Sequence, residues 1–367
     1  MTTSSDLREF AQPGVAALPL YATDSTACAV DLSDNTNLWG APPAAVRAVR
    51  AVRAGALARY PSLYSAHLRD ALLRYLGLAD NPSVGVVMGC GSDDVIDSTM
   101  RAFGAPGDHM VYSAPTFTMV PVFAQLNGLV PIAFPLTRDF DVDAERLVDA
   151  RAKITYLCTP NNPTATACSR TAVEYVVANA HGVVLLDEAY AEFASESFAD
   201  LVERSERLII ARTFSKAFGL AGLRVGFGVG SRQLTELVER ARGPYKVSLT
   251  GEHAALAALG ADPDALPWVR ERVTFVVANR ARLVAALQQL GLTALPSAAN
   301  FVLVPTPRAT ELFRVLRTRG VLVRCLTGLP RDLMPLAASG GAALRIGVGP
   351  WEMMEDLLNA LAEALPC

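Results

Sequence analysis

Short apolar runs alternate with helical patterns through the middle of this chain, and that alternation limits the folds open to it. The run SVGVVMG at 83–89 predicts a buried strand that ends at Gly89 and Gly91, and a helix is predicted from about Ser92. Continuous apolar strands separated by helices are typical of a mostly parallel sheet covered on both faces. The sequence therefore predicts an α/β fold, with further strands at 109–115, 129–134, 153–160, 182–190, 208–215 and 225–230.

The last third of the chain has a different pattern, which predicts a smaller α+β domain. A chain of 367 residues is long enough for a large domain and a smaller one. We expect an N-terminal segment over 1–45 that packs on the small domain, a large domain over 46–265 and a small domain over 266–367. The small domain is predicted to hold helices at 268–290, 309–319 and 351–364, strands at 300–305, 321–324 and 343–349, and a Pro- and Gly-rich loop at 326–341.

The composition argues against several classes of protein. With 51% hydrophobic residues, 19% charged residues and a net charge of −3, the chain lacks the basic excess expected of a nucleic-acid binder. The six cysteines and four histidines are scattered, without a C-x-x-C pair or an H-x-x-x-H spacing, so we expect a reducing compartment and no metal site. The N-terminus has no signal-peptide pattern and no uncharged run of about 18–20 apolar residues occurs, so we expect a cytoplasmic protein without a membrane span.

Four groups of polar residues follow predicted strands, where ligands of α/β sheets collect. GCGSDD at 89–94 would offer backbone N–H groups at a helix N-terminus, which suit a phosphate. TPNNPT at 159–164 offers amide side chains, and DEAY at 187–190 offers an acid and a phenol. TFSK at 213–216 adds a lysine. Each group alone is a weak signal, and Ser92 in GCGSDD could at the same time be a plain helix N-cap.

Together these groups meet the needs of pyridoxal 5′-phosphate. The aldehyde requires a lysine for a Schiff base, which is Lys216. The pyridine nitrogen needs a buried carboxylate, which is Asp187, and the ring hydroxyl needs donors, which Asn162 and Tyr190 supply. Nearby positive charge would lower the pKa of Lys216 and favour its neutral amine. The phosphate needs amides, hydroxyls and a cation, for which the candidates are Ser92, Asp93, Thr213, Ser215 and Arg224.

The motifs TFSKAFGLAGLRVG, TPNNPT, VLLDEAYAEF, RYPS, GSDDVID, RAFGAPGDHMVYSAPTFTMV and LRIGVG, taken in order, resemble those of fold-type I aminotransferases. The resemblance is strongest to the histidinol-phosphate aminotransferase branch and runs from about Asn35 to the C-terminus. It implies a large domain with a mostly parallel, seven-stranded type of sheet covered by helices, and a smaller α+β domain.

The resemblance also implies roles for individual residues. Lys216 would carry the cofactor and shuttle the proton at the substrate Cα, and Phe117 would stack on the cofactor ring, although on sequence alone it could equally be a core residue. Tyr60 would reach the cofactor phosphate of a neighbouring subunit, which implies a homodimer. The remaining implied contacts are to substrate: Arg345 to the α-carboxylate, Arg324 to the substrate phosphate unless it forms a surface ion pair, and Asn37 within the segment that lines the entrance.

The sequence departs from the family pattern at several positions. Ala165 stands where the family usually has Gly, and its methyl group could shift the turn after Asn162. In NTNLWGAP at 35–42, the family commonly has N-E-N-P-Y-G-P, so Trp39 changes the entrance segment. Val120 stands where many relatives carry Tyr. These departures leave the cofactor-binding residues unchanged, and they affect the prediction of which substrate the enzyme uses.

We therefore expect an aminotransferase that converts L-histidinol phosphate and 2-oxoglutarate to imidazole acetol phosphate and glutamate in histidine biosynthesis. An aromatic amino-acid aminotransferase is the first alternative, because Trp39 and Val120 would make the entrance more apolar. A pyridoxal-phosphate decarboxylase of a phosphorylated amino acid is the second. A regulatory module of a DNA-binding protein is disfavoured by the short N-terminal segment and the charge balance.

Overall fold

The predicted alternation of strands and helices is present in the structure, a computed structural model that describes residues 7–11, 14–18, 20 and 27–365. The strands are β1 Val30–Asp31, β2 Val84–Gly89, β3 His109–Ala114, β4 Val130–Pro135, β5 Ile154–Cys158, β6 Val183–Asp187, β7 Leu208–Thr213, β8 Gly226–Ser231, β9 Phe301–Pro305, β10 Val321–Leu322, β11 Arg324–Leu326 and β12 Ala343–Gly347. The α-helices are α1 Pro43–Arg50, α2 Ala54–Leu57, α3 Ala66–Leu76, α4 Ser92–Phe103, α5 Met119–Leu126, α6 Ala144–Asp149, α7 Arg170–Asn179, α8 Arg232–Ala241, α9 Leu249–Leu256, α10 Ala265–Gln289, α11 Ala309–Thr318 and α12 Trp351–Ala364.

The large sheet has seven strands in the order β2-β8-β7-β6-β5-β3-β4. Strand β8 runs antiparallel to β2 and β7, whereas β7, β6, β5, β3 and β4 are parallel to one another. Six strands therefore share one direction, and their carboxyl ends lie along one edge. This confirms the predicted mostly parallel sheet, and each of the seven strands overlaps a run predicted from the sequence.

Both faces of the large sheet are covered by apolar packing. Strand β6 is buried along its whole length. Its side chains alternate between faces, so Leu185 packs in one cluster with Ile209, and Leu186 packs in another with Ile210. This two-sided burial explains why the strands are continuous apolar runs rather than alternating apolar and polar residues.

Glycines in β8 let α4 lie close against the sheet. A Cβ at Gly226 would lie 2.2 Å from the carbonyl carbon of Gly91 and 2.4 Å from the backbone nitrogen of Ser92. A Cβ at Gly228 would lie 2.8 Å from a methyl of Val95. No side chain fits in that space, so these glycines place the N-terminus of α4 directly at the edge where the parallel strands end.

The C-terminal third forms a second, antiparallel sheet in the order β11-β12-β9. The single strand predicted over 321–324 is wrong: it divides at Val323 into β10 and β11, which join different sheets. Strand β10 pairs in parallel with β1, a two-residue strand that the sequence did not indicate. Residues near β1 thus contact the C-terminal part of the chain, while the boundaries at 46 and 266 stay predictions.

The described part of the chain shows neither a membrane-spanning helix nor a metal-binding cluster. None of the helices there is long and apolar enough to cross a membrane. The same residues contain no group of three or more His, Cys, Asp or Glu side chains placed to hold a metal ion.

Candidate active site

A cavity of about 660 Å³ opens at the edge where the parallel strands end. It also touches the end of β11 and the loop that follows, over 326–330, and the end of β1 with the segment that follows, at Asp31 and over 33–35. The structure brings most of the predicted site residues to its wall. They are Ser92, Asp93, Phe117, Asn162, Asp187, Tyr190, Thr213, Ser215, Lys216, Arg224, Arg324 and Arg345.

Lys216 lies in the turn that follows β7, with its amine in the cavity. Nζ donates a hydrogen bond of 3.2 Å to the carbonyl of Asp34 and lies 5.6 Å from the centroid of the Tyr190 ring. Burial, followed by the positive charge of Arg345, lowers the pKa of Lys216 from 10.5 to about 8. The predicted depression is therefore present, but burial contributes more to it than the neighbouring cations do.

Asp187 ends β6 and is 4% exposed. Its Oδ2 accepts a 2.8 Å hydrogen bond from the Tyr156 hydroxyl, and its Oδ1 accepts one of 3.0 Å from the backbone N–H of Ala189. Burial raises the pKa of Asp187 from 3.8 to about 6, against the opposing effect of these two donors. A carboxylate buried in this way would be stabilised by a cationic partner bound in the cavity.

The N-terminus of α4 and the turn after β7 form a cradle for an anion. Gly91 precedes α4 and, lacking a side chain, leaves the first N–H groups of the helix uncapped. Arg224 faces them, with Nη2 3.4 Å from Asp93 Oδ2 and Nη1 3.5 Å from Ser215 Oγ. Thr213 Oγ1 lies 3.0 Å from Ser215 Oγ. A Cβ at Gly91 would lie only 2.7 Å from Arg224 Nη2, so the cradle keeps its size because this residue is glycine.

Two side chains face the space between the cradle and the second sheet. Asn162 Oδ1 accepts a 2.7 Å hydrogen bond from Arg345 Nη1. Tyr190 is 4% exposed and packs edge-on against Phe301 at 5.2 Å. Burial, opposed by Arg345 and by a hydrogen bond from Asn35, raises the pKa of Tyr190, so its hydroxyl stays protonated near neutral pH.

Arg324 and Arg345 are directly opposed in the antiparallel pair β11–β12. Side chains opposite each other in such a pair lie on the same face, and both of these line the cavity. Two guanidinium groups on one wall, with Lys216 nearby, favour a substrate that carries more than one negative charge.

Four of the singled-out residues do not line the cavity. Tyr60 is 82% exposed and stacks on Tyr245 at 4.7 Å. Asn37 donates a 2.9 Å hydrogen bond to the carbonyl of Ala217, next to Lys216 in the chain. Trp39 packs against Phe275, and Val120, in the first turn of α5, is fully buried in the core. The expectation that Val120 makes the entrance more apolar is therefore wrong, and Trp39 does not line the cavity.

The departure at Ala165 has a defined backbone consequence. Its φ is 66°, in the left-handed region where glycine is the usual residue, and its side chain is fully buried. Its N–H donates a 2.7 Å hydrogen bond to the carbonyl of Asn161. The turn is thus formed with alanine in the glycine conformation, and Asn162 still faces the cavity.

Sequence reasoning missed two residues that contact predicted site residues. Tyr156 bonds Asp187 from the neighbouring strand, and Asn35 donates a 3.1 Å hydrogen bond to the hydroxyl of Tyr190. The signal for Tyr156 was a lone phenol in the apolar strand 153–160. Asn35 lies in the entrance segment, for which the resemblance implies a substrate contact by Asn37 only.

Comparison with known proteins identifies the family. The model of the aminotransferase class I and II family matches residues 28–361. A histidinol-phosphate aminotransferase of Roseiflexus castenholzii is 39% identical over 347 residues, covering 91% of this chain and 89% of the relative. One from Desulfitobacterium hafniense is 32% identical over the full length of both chains.

Solved structures agree with this assignment. The histidinol-phosphate aminotransferase of Sinorhizobium meliloti in complex with pyridoxal 5′-phosphate matches with a TM-score of 0.82, at 28% identity, over 92% of this chain and 91% of that one. An aspartate aminotransferase of Thermus thermophilus with maleate shares the fold, with a TM-score of 0.77 at 22% identity, over 92% of both chains.

The fold and site define an aminotransferase of fold type I, and the chain belongs to the class I and II aminotransferase family. The predicted fold, enzyme class and cofactor, pyridoxal 5′-phosphate, are confirmed by this membership, and so is the resemblance to histidinol-phosphate aminotransferases.

Proposed function

We propose that this enzyme transfers the amino group of L-histidinol phosphate to 2-oxoglutarate, giving imidazole acetol phosphate and glutamate in histidine biosynthesis. The observation that carries the substrate assignment is the opposed pair Arg324 and Arg345 on the cavity wall. The names of the relatives support the same substrate.

The residues of the cavity fit pyridoxal 5′-phosphate. The uncapped start of α4 fits its phosphate, and the buried carboxylate of Asp187 fits a cationic ring nitrogen. When bound, the cofactor supplies an aldehyde that takes up the amino group and a ring that withdraws electrons from the substrate Cα. We assign the phosphate to the backbone N–H groups of Ser92 and Asp93 and to the side chains of Thr213, Ser215 and Arg224. We assign the ring nitrogen to Asp187, the ring oxygen to Asn162 and Tyr190, the ring face to Phe117, and the aldehyde to Lys216.

Lys216 is the catalytic base in this proposal. With a pKa of about 8, roughly one tenth of its amine is neutral at pH 7, compared with far less for an ordinary lysine. The neutral Nζ would take the Cα proton of the amino donor, and the resulting ammonium would deliver that proton to the carbon atom that receives the amino group. The carbonyl of Asp34, which accepts a hydrogen bond from Nζ, holds the amine in the cavity between these events.

The two arginines divide the recognition of substrate. Arg345 holds the α-carboxylate of glutamate and 2-oxoglutarate, and Arg324 holds the phosphate of L-histidinol phosphate, which has no carboxylate. Because the two guanidinium groups are neighbours, a single cavity serves the amino donor and the amino acceptor in turn. Asn37 is proposed to act from the entrance segment, through its hydrogen bond to the backbone next to Lys216.

The aromatic alternative loses its support, since Trp39 and Val120 lie away from the cavity wall. The decarboxylase alternative is not favoured by the aminotransferase names of the relatives.

A homodimer is part of the proposal. Tyr60 is exposed beside Leu57 and Tyr64, which are 62% and 61% exposed, and it stacks on Tyr245. An exposed aromatic patch of this kind is typical of a protein interface. We propose that Tyr60 crosses that interface to the cofactor phosphate of the second subunit. The cytoplasmic location stays a prediction.

The test is production of glutamate from L-histidinol phosphate and 2-oxoglutarate by the purified holoenzyme. We expect turnover by the wild type and its loss, by a factor of at least about 10², in Lys216→Ala. The substrate assignment would be overturned if the enzyme turned over L-phenylalanine and did not turn over L-histidinol phosphate. Turnover that survives Lys216→Ala would overturn the assignment of the base.

A further inference from the structure

The side chain of Asn35 is buried against the hydroxyl of Tyr190. Asn35 is 3% exposed and lines the cavity, and its Nδ2 donates a hydrogen bond of 3.1 Å to Tyr190 Oη. Tyr190 is itself 4% exposed. Their hydrogen bond is therefore largely shielded from water, where its direction has the most effect.

The direction of this bond decides what the Tyr190 hydroxyl can do. A phenol has one hydrogen to donate. Since Oη accepts from Asn35, that hydrogen is left for an acceptor within the cavity. We propose that Asn35 is a positioning residue, which makes Tyr190 a hydrogen-bond donor to the ring oxygen of the cofactor. This inference rests on the role proposed above for Tyr190.

The backbone around Asn35 is tied to other groups of the site. The carbonyl of Asn35 accepts a 2.9 Å hydrogen bond from the side chain of Asn300, which is 2% exposed. The preceding carbonyls, of Ser33 and Asp34, accept from Arg345 Nη2 at 2.7 Å and from Lys216 Nζ at 3.2 Å. The backbone that carries the amide group of Asn35 is thus fixed relative to the cavity by these hydrogen bonds.

Asparagine also suits the backbone conformation at this position. The φ of Asn35 is 59°, in the left-handed region that asparagine tolerates better than most residues other than glycine. Replacement by glycine therefore keeps the backbone unstrained and removes only the amide group. The glycine variant therefore tests the amide side chain of Asn35 separately from the backbone conformation at this position.

The experiment follows the absorbance of the cofactor-loaded enzyme as a function of pH, without substrate. A hydrogen bond donated to an anionic oxygen favours its deprotonated form, so weakening that bond raises the pH midpoint of the absorbance change. We expect Tyr190→Phe to raise the midpoint and Asn35→Gly to raise it in the same direction, by about 0.5 pH unit, the equivalent of one hydrogen bond. In the Tyr190→Phe background, Asn35→Gly should add nothing.

Thr36→Gly is the matched control, because it loosens the same segment and keeps the Asn35 amide group. Its midpoint should equal that of the wild type. If Asn35→Gly loads poorly, Asn35→Asp serves instead, since its oxygen can only accept. Its effect should be larger with Tyr190 present than in the Tyr190→Phe background, where only the added charge acts.

The outcomes separate this inference from the proposed function. The role of Asn35 alone would be overturned if Asn35→Gly left the pH midpoint at the wild-type value or lowered it. It would also be overturned if Asn35→Gly shifted the midpoint by the same amount in the Tyr190→Phe background. A wild-type midpoint in Tyr190→Phe would overturn the role of Tyr190, and the inference with it. Neither result depends on which amino donor the enzyme uses.

Discussion

The buried carboxylate of Asp187 is expected to destabilise the protein when no cofactor is bound. An unfolded aspartate titrates near 3.8, whereas Asp187 in the folded chain titrates at about 6. The folded state therefore keeps its proton over a pH range in which the unfolded state has lost it. As pH rises from about 4 to about 6, the free energy of unfolding falls by about 3 kcal/mol, and the loss is complete above pH 6.

Asp187→Asn removes this dependence. The amide cannot match both hydrogen-bond donors, Tyr156 and Ala189, so a constant loss of about 1 kcal/mol is expected at every pH. The variant apoprotein should therefore be less stable than the wild type near pH 4 and more stable by about 2 kcal/mol near pH 7.5. Urea unfolding at fixed protein concentration, at several pH values, measures the difference.

Two further measurements sharpen this prediction. Addition of pyridoxal 5′-phosphate should stabilise the wild type more than the variant, because the pyridinium partners the carboxylate. Asp80→Asn, which removes an exposed carboxylate, should change stability by less than about 0.5 kcal/mol. The reasoning is refuted if the difference between Asp187→Asn and the wild type stays constant with pH, or moves in favour of aspartate.

Three other predictions follow from the same geometry. Arg324→Gln should raise KM for L-histidinol phosphate by about 10- to 100-fold, the loss of one charge-assisted contact, and change KM for 2-oxoglutarate much less; equal effects on both would contradict the division of roles. Gly226→Ala should lower the affinity for the cofactor and destabilise the apoprotein by about 1–3 kcal/mol, because the added Cβ would press on Gly91. Calorimetric titration measures the affinity, and urea unfolding measures the stability. An affinity equal to that of the wild type would contradict the assignment of the phosphate to the start of α4. The rate at which apoprotein combines with pyridoxal 5′-phosphate should rise with pH around a midpoint near 8, the pKa of Lys216, and a midpoint near 10 would show that burial does not act on that amine.

The large sheet was predictable because its strands are buried on both faces. Such strands appear in the sequence as continuous apolar runs, and the polar groups that follow them reach one edge of the sheet. The predicted residues at those ends, from Ser92 to Arg224, accordingly lie around one cavity. Arg324 and Arg345 were also found, although the sequence could not reveal that they are opposed in one strand pair.

The features that the sequence did not predict depend on the register between strands and on elements of only a few residues. Tyr156 pairs with Leu185 and so lies diagonal to Asp187, and that offset between strands cannot be read from one sequence. Strand β1 has two residues, too few for a periodic pattern. Val120 was placed at the entrance by its motif, but the first turn of α5 directs it into the core. The contact made by Asn35 depends on the left-handed backbone conformation of that residue, and an asparagine in a sequence is only a weak indication of that conformation.

The most direct test of the central claim is a half-reaction without amino acceptor. The absorbance of the cofactor-loaded enzyme is followed as L-histidinol phosphate, and in a separate sample L-phenylalanine, is added. The account predicts rapid conversion of the bound cofactor to its amine form by L-histidinol phosphate, reversed by 2-oxoglutarate. Conversion by L-phenylalanine with no response to L-histidinol phosphate would contradict it.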